Sequence, residues 1–131
     1  MRYEVIADGE RRCLEVCCHG PFDAESVPAI VAELERHPAY PQALGILWDV
    51  RDADLSVYRI EDMERAWVRR SGVRPHGWKL RIAMVSTAPM DRFIMRLWQT
   101  GAGASERVER QSFHDIDAAR RWTAGTGEAD A

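Results

Sequence analysis

The apolar positions along this chain follow two rhythms, one of period two and one near 3.6 residues, and they alternate. Arg2 to Ala7 (RYEVIA) and Arg12 to His19 (RCLEVCCH) have the period of strands. Asp8-Gly9 between them signals a hairpin, because glycine accepts the positive φ of a tight turn. In the second run Leu14, Val16 and Cys18 share one face, with Cys13, Glu15 and Cys17 on the other, and Gly20-Pro21 ends the run. Val27, Ile30, Val31 and Leu34 then form a helical stripe, which predicts a helix over Ser26 to Arg36 with its N-cap near Ser26. Pro28 suits its first turn, where no amide hydrogen is needed. His37-Pro38 and Pro41 close it.

Ala43 to Val50 carries apolar residues on both faces (Leu44, Ile46 and Trp48; Leu47), the pattern of a strand buried on both sides. Charge follows at once in Asp49, Arg51, Asp52 and Asp54, which predicts a loop at the strand's carboxyl end. Tyr58 to Arg70 reads as a helix with Ile60, Met63, Ala66 and Trp67 inward and Gly72 at its C-cap. Trp78 to Val85 is a further strand. Met90, Phe93, Ile94, Leu97 and Trp98 mark an amphipathic helix that Ser86 or Thr87 caps and Gly101 and Gly103 end. Arg107 to Phe113 is polar enough for an edge strand. Asp115 caps a last helix over Ile116 to Trp122.

This order predicts one α/β domain over residues 1–123, with a mostly parallel sheet of about five strands, four helices and a flexible tail over 124–131. A length of 131 residues fits one modest core. A net charge of -3 argues against general nucleic-acid binding. The three cysteines are an odd number. With no leader-like segment and no bilayer-length apolar run, they point to a reducing cytoplasm and no membrane insertion.

The opening YEV, the hairpin, L-x-V-x-x-x-G (Leu14, Val16, Gly20), the helix ending in His37-Pro38, and LWDVRDADLS resemble the SpoIIAA-like fold. More narrowly, they resemble bacterial STAS/Sec14-like domains of unknown function. The resemblance spans nearly the whole chain and rests mostly on structural motifs. It implies a β/α superhelix with an antiparallel first strand and with helices largely on one sheet face. Part of the other face is then left for a partner, with Cys13, Glu15, Cys17 and Tyr3 contributing to it. Anti-anti-sigma relatives carry a phosphorylatable serine in an Asp-Ser-Ser-Gly motif after the central strand. The matching positions here are Asp49, Val50, Arg51 and Asp52, with no hydroxyl, and Ser56 comes later. The Sec14 side implies a lipid-sized cavity, in a chain far shorter than a full lipid-transfer domain.

Asp49, Arg51, Asp52 and Ser56 are therefore the candidate binding residues, set in the loop after the central strand. Three nearby carboxylates suit a cation or a basic partner, but Arg51 neutralises one of them, and turn formation explains the rest. Cys13, Cys17, Cys18 and His19 lack the second ligand pair of a zinc site. The basic run Arg65, Arg69, Arg70, Arg74, His76, Lys79 and Arg81 reads as a solvated face. No nucleophile elbow, phosphate loop or dinucleotide fingerprint occurs, so neither an enzyme nor a cofactor is expected. Trp78 is the tryptophan expected to be exposed. The leading expectation is a non-catalytic module that binds a protein partner or itself. The alternative is a carrier or sensor of a small apolar ligand beneath the Phe93/Leu97/Trp98 helix.

Overall fold

The computed structural model describes residues 1–23, 25–56, 58, 59, 61, 80–87 and 108–125. In chain order these form β1 (Arg2–Asp8), β2 (Cys13–Pro21), α1 (Ser26–Arg36), a 3-10 turn (Tyr40–Gln42), β3 (Gly45–Asp54), β4 (Leu80–Val85), β5 (Val108–Phe113) and α2 (Ile116–Thr123). The strands make one 5-stranded sheet in the order β1-β2-β3-β4-β5. β1 pairs antiparallel with β2, and all later pairings are parallel. The expected sheet, its antiparallel first strand and the edge position of the last strand are all present. Of the four expected helices, α1 and α2 are described. The Met90–Trp98 helix lies outside the described residues, as does the Tyr58–Arg70 helix apart from Tyr58, Arg59 and Glu61. Trp67, Trp78 and Trp98 lie outside them too.

The hairpin reaches its left-handed residue differently from expectation. Arg12, not Gly9, has positive φ (53°). The Asp8 carboxylate accepts the Arg11 amide at 3.1 Å, so the turn is fixed by a side-chain hydrogen bond. At the start of α1 the Ser26 amide donates to the Asp23 carboxylate at 2.7 Å. Ser26 is thus the first helical residue rather than the cap, and hydrogen bonding from its side chain first, and then from its amide, lowers the Asp23 pKa.

The sheet separates two cores. On one side Val27, Ile30, Val31 and Leu34 of α1 pack on Leu14, Val16 and Cys18 of β2 and on Ile46, Trp48 and Val50 of β3. Each fully buried Leu or Ile there contributes about 1.5–3 kcal/mol. On the other side Ala119 and Trp122 of α2 pack on Cys13, Leu47, Ala83 and Val85. The described helices therefore cover opposite faces rather than largely one, while Arg2, Glu4 and Ile6 of β1 stay exposed on the α2 side of the sheet. Cys13 and Glu15 are buried there. Tyr3 belongs to the α1 side, where its hydroxyl donates to Glu33 at 2.9 Å.

Two backbone features position the site. α2 approaches the sheet so closely at Gly45 that an added Cβ would lie 2.6 Å from Thr123 Cβ and 2.7 Å from its carbonyl oxygen. Glycine is required there for space. The second feature is a β-bulge. Cys17 pairs with Asp49 but His19 pairs with Asp52, so β3 holds one extra residue. The bulge changes the phase of β3: Ile46, Trp48 and Val50 face α1 before it, and Ala53 and Leu55 face that side after it.

Candidate functional site

The bulge lies where the sequence predicts a loop. β3 runs through Asp54, so Asp49, Arg51 and Asp52 are strand residues and only Ser56 lies beyond the strand. The register explains the continuation. The second half of β3 still pairs with β2, through His19–Asp52, Gly20–Ala53 and Pro21–Asp54. Gly20, at φ 84°, takes a backbone conformation that costs glycine little. β2 correspondingly runs through Gly20 and Pro21, the residues expected to end it after His19.

Asp49 sits between Cys17 of β2 and Val85 of β4 and is nearly buried. Arg51 folds back on it. Arg51 Nε donates to Oδ1 and Nη2 to Oδ2, both at 2.8 Å, and the Arg51 amide donates to Oδ1 at 3.2 Å. Burial pushes the Asp49 carboxyl up, but the hydrogen bonds and charge of Arg51 together outweigh it, and the net shift is down. The resulting stabilisation is complete above the ordinary aspartate value of 3.8 and is lost as the pH falls through the lower folded value. Asp49 is thus held ionised and anchors the strand.

Asp52 and Asp54 stand outside this lock. The Asp52 side chain is 76% exposed and meets His19 Nδ1 at 3.7 Å, too long for a firm hydrogen bond. Asp54 is exposed and its carboxylate accepts the exposed Ser56 amide at 2.9 Å. Hydrogen bonding to Ser56 lowers the Asp54 pKa. The site is therefore a rigid ion pair (Asp49–Arg51) beneath an exposed acidic rim of Asp52 and Asp54, with Ser56 beside it. It lies toward the carboxyl ends of the parallel strands, where open α/β sheets place ligands.

A second charged pair borders the first. Glu15 of β2 is buried beneath α2, and Arg120 meets it with two bonds, Nε to Oε2 at 2.9 Å and Nη2 to Oε1 at 3.0 Å. The charge of Arg120 also helps hold Asp49 ionised. Sequence reasoning missed this pair, whose members lie 105 residues apart. The available signal was an acid on the β2 face that also carries Cys13 and Cys17.

The thiols are poorly suited to nucleophilic chemistry. Burial raises Cys13 to about 11 and Cys18 to about 12. Cys17, half-buried, is raised first by desolvation and then by the charges of Asp49, Glu15 and Glu4. Cys18 fills the α1 core, whereas Cys13, expected on the face left for a partner, is buried and meets Thr123 Oγ1 at 3.6 Å. Among the described residues no group of three or more His, Cys, Asp and Glu converges to hold a metal ion. Nor is any described helix long and apolar enough to cross a membrane.

Of the basic run, only Arg81 is described. It donates to the Trp122 carbonyl at 2.8 Å, meets Glu109 at 3.8 Å and lies 5.2 Å above the Trp122 ring. The region proposed to hold an apolar ligand, beneath Phe93, Leu97 and Trp98, lies outside the described residues.

No family model matches the sequence, and no curated protein matches it. Among solved structures, the chain is similar to an uncharacterised protein of the DUF3478 family with a SpoIIAA-like fold from Shewanella loihica PV-4. The match has a TM-score of 0.56 at 16% identity and covers 93% of this chain and 92% of that one. With the strand order and the antiparallel first strand, it gives the chain a SpoIIAA-like fold.

Proposed function

We propose that this chain is a non-catalytic, STAS-like interaction module that takes a basic segment of a protein partner on its acidic rim. The observation that carries this reading is the exposure of Asp52, at the ligand-binding end of the central strand, above the fixed Asp49–Arg51 pair. A preorganised base lowers the ordering cost of binding. An exposed carboxylate with only a long contact to His19 remains available to a guanidinium or ammonium group. Ser56, beside the rim, adds a hydroxyl donor. Asp49 serves as the foundation and makes no direct contact with the partner.

The experiment compares the proteins captured from an extract of the source organism by the wild type and by an Asp52→Arg/Asp54→Arg variant, with circular dichroism to confirm folding. A partner bound through a basic segment is retained by the wild type and lost by the variant. Identical captured sets would refute the assignment of the rim. Binding to the rim should also weaken with salt, since the contacts are solvent-exposed.

A further inference from the structure

The outer edge of the sheet at β1 carries a second surface. β1 is a regular seven-residue strand with no proline, paired to β2 along its whole length and lacking a strand on its other side among the described residues. Ile6, on this strand, is the exposed large apolar side chain among the described residues, at 46%. Such an edge is a template for another strand unless its side chains oppose pairing. β5, at the other edge, has half-buried side chains from Glu109 to Phe113.

We propose that β1 pairs with β1 of a second copy of this chain, antiparallel and centred on Val5, to form one continuous sheet. The charges select this register. About a two-fold axis at Val5, Arg2 of each copy faces Asp8 of the other, Glu4 faces Ile6, and Tyr3 faces Ala7. Both ends of the pairing then carry opposite charges, and the Glu4 stem lies along the exposed Ile6. Opposite-charge cross-strand pairs are favourable and like-charge pairs unfavourable. Centring on Glu4 sets that carboxylate against its own copy. Centring on Ile6 sets Glu4 against Asp8 twice. The edge charges thus oppose these two registers, and centring on Tyr3, which pairs Arg2 with Glu4, joins only residues 2–4 of the strand. Asp8 Oδ1 accepts the Arg11 amide, and Oδ2, 3.8 Å from the guanidinium of exposed Arg11, is left for this contact. The Arg2 end of this edge adjoins His19, which meets Asp52 of the rim, whereas the Asp8 end lies at the opposite end of the strand.

Sedimentation velocity from micromolar to millimolar protein tests the proposal. The wild type should dimerise with rising concentration. Arg2→Asp and Asp8→Arg should each weaken the dimer at least about tenfold, because like charges then face each other at both ends. An equimolar mixture of the two variants should recover dimerisation, because every facing pair is again opposite. In the wild type, amide exchange in β1 should slow as the dimer forms. A wild type that stays monomeric, single variants that dimerise unchanged, a mixture of folded variants that does not recover, or β1 exchange independent of concentration would each overturn it.

Discussion

The Glu15–Arg120 pair allows a prediction whose sign is as informative as its size. The Glu15 side chain is 6% exposed and that of Arg120 is 33% exposed. Replacing Arg120 by Met keeps most of the stem but removes both charge-assisted hydrogen bonds. The nearby guanidinium of Arg51 is already committed to Asp49. The Glu15 carboxylate would then be buried without a partner, which ordinarily costs about 3–5 kcal/mol. A third of the Arg120 side chain is exposed, so water reaches the gap and a smaller cost, about 2–3 kcal/mol, is expected. That is a large part of the roughly 5–15 kcal/mol that stabilises a typical domain. Replacing Glu15 by Met as well removes the stranded charge, and the double variant should be more stable than Arg120→Met alone. Urea unfolding of the wild type, both single variants and the double variant at neutral pH gives the cycle. A cost below about 1 kcal/mol for Arg120→Met, or a double variant whose loss equals the sum of the singles, would refute the argument that α2 is held by a desolvated ion pair.

Two further outcomes follow from the packing. Gly45→Ala should cost about 1–3 kcal/mol in thermal or chemical unfolding, because its methyl group would meet Thr123 Cβ at 2.6 Å and the adjoining carbonyl oxygen at 2.7 Å; an unchanged midpoint would show that α2 moves away freely. At pH 8 a disulfide reagent should label Cys17 alone, and slowly, in the folded protein, and all three thiols in denaturant. Cys13 and Cys18, raised to about 11 and about 12, hold little thiolate until the pH nears those values, so rapid native labelling of either would contradict their placement.

Most of the sheet was legible from alternation. Leu14, Val16 and Cys18 face one core and Cys13 and Glu15 the other, as period two requires. The stripe of Val27, Ile30, Val31 and Leu34 placed α1, and Asp115 caps α2 by accepting the Asp117 and Ala118 amides. The end of β3 was not legible, because the bulge breaks the alternation at the point where charge begins, and a break in period with charge looks like a loop. The coverage of the second face was missed because α2 is only eight residues long and its seat on the sheet depends on Gly45, far away in sequence. At the candidate site, proximity implied that Arg51 neutralises one neighbouring carboxylate, but not that the partner is Asp49. The separate roles of Asp49, fixed below, and Asp52, exposed above, required the pleat and the bulge.

The 105-residue separation of Glu15 and Arg120 also has a consequence for synthesis. At roughly 5–20 residues per second, the ribosome adds the intervening chain in about 5–20 s. The β1–β2 hairpin is made early and, throughout that interval, Glu15 has no Arg120 to meet. The acid that α2 later buries must stay hydrated meanwhile, so the β2 face stays wet until α2 is made. The same charge that is expensive to strand in the finished protein keeps an early, half-apolar hairpin from burying the wrong face.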